Sequence, residues 1–139
     1  GEVNTNMPQW VLSKIVWALN ERKKSLKGSR VLILGIAYKK NVDDDRESPS
    51  FEIMKILKSK KIYFDYNDPY FSSIRKGRHI KLKKKSIKLT KSNLNFYNAV
   101  LIVTDHDDYD YKFIAKNSKQ IFDTRGVYKN FNCSKVIYC

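Results

Sequence analysis

The side chains best suited to chemistry in this sequence are cations that follow apolar runs. Lys39, Lys40 and Arg46 come after VLILGIA, His106 after NAVLIVT, and Arg125 with Gly126 after QIFD. Guanidinium and ammonium groups bind phosphate or carboxylate, Arg as a planar fork and Lys as a point charge. Gly126 beside Arg125 allows the backbone to come close to a ligand. A helix starting at Ser48-Pro49 would add a positive dipole end near the first cluster. Asp43, Asp44 and Asp45 lie in the same loop and could equally neutralise its bases on an exposed surface. Spacing alone leaves that choice open. Arg125 is likewise open between a ligand contact and a loop cap, and His106 between a ligand contact and an ordinary hydrogen-bonding histidine. There is no Ser/His/Asp set, no metal-ligand spacing and no cysteine in an activating context. The residues describe an anion-binding module more readily than a complete enzyme.

These groups need strands to bring them to one edge. Residues 30–37 (RVLILGIA) and 98–104 (NAVLIVT) are nearly continuous apolar runs, which fits strands buried on both faces of a parallel sheet. Shorter strands are expected at 62–65, 120–123 and 135–138, with a weakly patterned one at 80–89. Helices are expected at 8–23, from 48–49 to about 60, and near 111–117. Asn6 and Ser48 are the expected N-caps of the first two, with Pro8 and Pro49 in their first turns. Alternating strands and helices predict an open α/β sheet of undetermined strand order, with ligands beyond the carboxyl ends of its strands. The first helix is apolar over more than one face, including Trp10 and Trp17. It is compatible with a central core helix or with one covered partly from outside the chain.

The sequence has 139 residues, enough for one domain with a core, and is 42% hydrophobic and 13% aromatic, which argues against disorder. No apolar stretch is long enough to span a bilayer, and residues 1–9 lack the pattern of a secretory signal. Two cysteines, Cys133 and Cys139, make no disulfide framework, so a reducing cytoplasm is expected. The net charge of +14 admits a nucleic-acid-binding module, with KLKKKSIK at 81–88 as its densest stretch. Lys far outnumbers Arg, however, and Leu82 and Ile87 interrupt that run as they would on the solvated face of a strand or hairpin.

The string VLILGIAYKKNVDDDRESPS, followed in order by Asn67-Asp68-Pro69-Tyr70, Val103-Thr104-Asp105-His106 and Phe122-Asp123-Thr124-Arg125-Gly126, resembles the C-terminal domain of the UDP-glucose/UDP-N-acetylhexosamine 6-dehydrogenase (GDP-mannose-type) family. Val3-Asn4-Thr5-Asn6-Met7-Pro8 resembles that family's lead-in to a connecting helix. The resemblance implies a Rossmann-like sheet with helices on both faces, preceded by a long N-terminal connecting helix. Residues 1–27 would be that helix and 28–139 the UDP-sugar-binding domain. It further implies an NAD-dependent, twofold oxidation of a sugar C6 hydroxymethyl group to a carboxylate, with the main NAD domain and the cysteine nucleophile elsewhere. Tyr38, Lys39 and Arg125 would then contact the UDP-sugar, Arg46 would reach NAD, and the helix would help form a homodimer. A non-catalytic dimerisation remnant is the remaining alternative.

Overall fold

The computed structural model describes residues 7–21, 29–36, 49–74, 84–131 and 133–138. Its main sheet contains β1 (Arg30–Leu34), β2 (Tyr63–Asn67), β5 (Ala99–Ile102), β6 (Ile121–Asp123) and β7 (Val136–Tyr138). Every pairing in it is parallel, in the spatial order β2-β1-β5-β6-β7. Strand order therefore reverses between β1 and β5. Such a switch point opens a crevice beyond the strands' carboxyl ends.

Side chains alternate across the sheet, so each apolar run supplies two cores. Val31, Ile33, Phe64, Ala99 and Leu101 pack on one face against α1 (Met7–Glu21) and α2 (Pro49–Ser59). Leu32, Leu34, Val100, Ile102 and Ile121 pack on the other, where Leu94 of α3 (Lys91–Phe96) and Ile114 of α4 (Tyr111–Asn117) meet them. Helices thus cover both faces, as the α/β expectation requires.

Helix α1 buries Val11, Leu12, Ile15 and Ala18 in the first core. Trp10 and Trp17 point away and are 52% and 58% exposed, with Lys14 Nζ 4.7 Å from the centre of the Trp10 ring. The expected caps Asn6 and Ser48, and the expected boundary at 27–28, lie outside the described residues.

The main departures concern the middle of the chain. Helix α3 has no counterpart in the sequence expectation, yet Thr90 caps it by accepting a hydrogen bond from Asn93 N. The strand expected at 80–89 is, within the described residues, only β4 (Lys84–Lys85), paired antiparallel with β3 (Ser73–Ile74). Beyond β4, Ile87 N donates to Tyr66 O and Asn67 Nδ2 donates to Ile87 O, so this segment lies along the outer edge of β2.

Candidate functional site

The carboxyl rim of the sheet begins where β1 stops. Gly35 has φ +108°, and a Cβ placed there would lie 2.4 Å from Thr104 Cβ and 2.6 Å from Thr104 N. Only glycine fits a backbone that approaches the end of β5 so closely. Gly35 N donates to Asn67 O at 2.9 Å, and Ser50 Oγ donates to Gly35 O, which ties the turn to β2 and α2.

Asp68, at the end of β2, is 3% exposed and organises the next part of the rim. Its Oδ2 accepts from Ile36 N at 2.6 Å and lies 2.9 Å from His106 Nε2, while Oδ1 accepts from Tyr70 N at 2.7 Å. A buried carboxylate is tolerable only when it is satisfied in this way. The pair joins the ends of β1, β2 and β5. His106 is completely buried, which decides its open reading in favour of a hydrogen-bonding histidine and against a cation facing a ligand. Its ring lies 4.9 Å from that of Tyr70 and 5.7 Å from that of Tyr109.

Tyrosine hydroxyls lash these loops together. Tyr109 donates to Asn67 O, Tyr111 to His106 O, Tyr128 to Tyr111 O and Tyr138 to Tyr128 O, at 2.6–2.8 Å. Burial, reinforced by Asp68, pushes the Tyr109 phenol well above its ordinary range. Burial first, then the nearby carboxylates Asp105 and Asp123 respectively, raises Tyr111 and Tyr128. All three act as neutral donors.

At the end of β6 the chain turns around Asp123, which is 1% exposed. Its Oδ1 accepts from Arg125 N and Gly126 N and its Oδ2 from Tyr128 N, at 2.8–3.0 Å. Gly126 takes φ +74° within this turn. Arg125 Nε donates to Val103 O at 2.7 Å, which anchors the side chain on the neighbouring strand end. The residue is exposed, and among the described residues its terminal nitrogens have no carboxylate partner. Arg125 is therefore at once a loop brace and a cation offered to solvent. Beside it lies an open depression of about 450 Å³, lined by Asp123, Thr124, Arg125, Gly126, Lys129 and Tyr138.

Of the expected site residues, Arg125 stands at this rim, while Tyr38, Lys39 and Arg46 lie outside the described residues. The sequence reasoning did not single out Lys129 or Tyr138. No motif signals either, and only the return of β7 beside β6 brings Tyr138 to Arg125. Of the lysine run at 81–88, Lys84 is engaged within the fold, with Nζ donating to Phe64 O at 2.6 Å and lying 3.2 Å from Asp65 Oδ1.

A family model described as the UDP binding domain of the UDP-glucose/GDP-mannose dehydrogenase family matches residues 32–130. The chain belongs to this family. The match spans the strand ends that carry Gly35, Asp68, His106, Asp123 and Arg125. Among curated members, the UDP-N-acetyl-D-mannosamine dehydrogenase of Methanococcus vannielii is 28% identical over 134 residues, 91% of this chain and 29% of that protein. The UDP-glucose 6-dehydrogenase of Rickettsia felis is 39% identical over 66 residues, 48% of this chain and 14% of that protein. In three dimensions, the UDP-N-acetyl-mannosamine dehydrogenase of Staphylococcus aureus superposes with a TM-score of 0.67 at 28% identity, over 97% of this chain and 30% of that one. The UDP-D-ManNAc dehydrogenase of Pyrococcus horikoshii shares the fold with a TM-score of 0.74 at 24% identity, again over 97% and 30%. The chain thus spans less than a third of the length of these family members.

Proposed function

We propose that this chain is the nucleotide-sugar-binding part of an NAD-dependent UDP-sugar 6-dehydrogenase. Its role is to hold the UDP moiety while sugar C6 is oxidised twice, from hydroxymethyl to carboxylate. The observation that carries this reading is the exposed guanidinium of Arg125, anchored through Nε on Val103 O at the carboxyl rim of a parallel sheet. A braced arginine loses little freedom when it meets a diphosphate, so more of the contact energy appears as affinity. Tyr38 and Lys39 are proposed to join it from the loop after β1, and Arg46 to reach NAD.

The described residues do not themselves fit a dinucleotide cradle. Thr104 closes off the Cα face of Gly35, and α2 begins only at Pro49, so no glycine-rich turn leads directly from strand to helix. NAD and the nucleophilic cysteine are therefore assigned to other parts of a longer enzyme. Residues 1–139 alone are proposed not to turn over substrate. A UDP-N-acetylhexosamine is preferred to UDP-glucose, supported by curated relatives that align over most of this chain and carry that substrate in their names. A cytoplasmic location, a part in polysaccharide biosynthesis and, in the full enzyme, a homodimer formed through α1 complete the proposal.

The test is an amide NMR titration of the chain with UDP and a UDP-sugar at millimolar concentration. Shifts are expected at residues 35–36 and 123–126, and Arg125→Ala should weaken binding at least about tenfold, as loss of a charge-assisted contact does. A silent rim at saturating ligand would refute the reading. Binding that survives Arg125→Ala but falls steeply with salt would favour a polyanion-binding module instead.

A further inference from the structure

We infer that Lys129 and Tyr138 complete the nucleotide site that Arg125 begins, Lys129 as a second cation on the diphosphate and Tyr138 as a flat support for the base. Both roles presuppose the nucleotide site proposed above. They deepen it by assigning the two halves of the ligand to particular side chains.

Lys129 is exposed, and its stem lies over Gly126. A Cβ at Gly126 would stand 3.3 Å from Lys129 Cε, 3.6 Å from Cδ and 3.7 Å from Cγ. The bare glycine thus gives the lysine stem a bed next to Arg125. Among the described residues, neither Arg125 nor Lys129 has an ion-pair partner. Asp123 is, among the described residues, the one carboxylate lining the depression, and both its oxygens accept backbone N–H groups. Among the described residues, two cations thus share a concave surface with one acid that is already engaged, an arrangement a diphosphate would complement.

Tyr138 forms another wall of the same depression. Its hydroxyl donates to Tyr128 O at 2.8 Å, yet the residue is 49% exposed. A ring pinned at its tip and open on its surface is a ready stacking platform, because aromatic side chains hold planar bases without needing a particular hydrogen-bond pattern. The volume of about 450 Å³ is in the usual range for ligand clefts.

The experiment compares the affinities of UDP and inorganic pyrophosphate for the chain and its variants by titration calorimetry, after a two-dimensional amide spectrum has established that each variant is folded. Lys129→Gln is expected to weaken UDP and pyrophosphate alike, by about tenfold, as loss of a charged phosphate contact does. Tyr138→Leu is expected to weaken UDP by a similar factor and leave pyrophosphate within about twofold, since only the base is stacked. Tyr138→Phe keeps the ring and should retain most of the UDP affinity. Lys60→Gln, in the turn just past the far end of α2, should change nothing. Unchanged UDP affinity in both Lys129→Gln and Tyr138→Leu overturns these two assignments while leaving Arg125 in place, provided that Arg125→Ala still weakens UDP. A wild-type chain that binds no UDP overturns the nucleotide site itself, and these roles with it.

Discussion

Gly35 is the residue on which the shape of the rim depends most. Any side chain there would meet Thr104 at contact distances no structure tolerates, on a backbone with φ +108°. Gly35→Ala should therefore cost about 3 kcal/mol or more, combining left-handed strain with overpacking against the end of β5. A drop in the thermal midpoint followed by circular dichroism measures it, and an alanine variant with wild-type stability would contradict the geometry. At this scale the sequence spoke unevenly. Arg125 next to Gly126 was legible, because a cation and a permissive backbone after a strand mark a rim. His106 was not. Spacing shows that a residue follows a strand but not which way its side chain turns, and this one turns inward to Asp68. Asp68 itself stood out only as part of the Asn67-Asp68-Pro69-Tyr70 string. Its work as the shared acceptor for Ile36, Tyr70 and His106 depends on contacts far apart in sequence.

Helix α4 matches the expected 111–117, and its start has a clear cause: the Asp110 side chain accepts from Phe113 N at 3.1 Å. Asp110→Ala should cost about 1 kcal/mol and Asp110→Asn much less, since asparagine is an equally good N-cap. Denaturant midpoints compare the two, and an equal loss in both would shift the explanation from the cap to charge. The long apolar strands and α2 were also legible, because burial on two faces writes an unbroken run and a helical stripe repeats. Helix α3 was not. KSNLNF buries only Leu94 and is rich in Ser and Asn, residues that favour caps and turns over helix interiors. The paired strands β3 and β4 are two residues each, too short to leave any alternation.

Across the whole molecule, hydropathy predicted the parallel sheet but carried no information on its order, which is set by which crossover lands beside which strand. That order brings the tyrosine ties together at one rim, and it gives the molecule a predictable response to alkali. Burial is the leading cause of the raised phenols of Tyr66, Tyr97, Tyr109, Tyr111 and Tyr128. A phenol whose folded pKa exceeds its unfolded value of about 10 stabilises the fold fully below that pH and progressively less above it. The contribution of these phenols to stability should thus be constant up to about pH 10 and then fall. Tyrosinate absorbance from the buried set should rise together with the loss of circular dichroism. Complete ionisation with the dichroism intact would show that these rings are open to solvent.

One further consequence follows from α1. Both tryptophans of the sequence lie on its outer side. In the single chain, with nothing covering α1, fluorescence excited at the indole band is accordingly a beacon for that one face, red-shifted and open to quenching by acrylamide. It will stay dark to events at the carboxyl rim of the sheet, whereas anything that comes to rest on the helix will turn the emission blue.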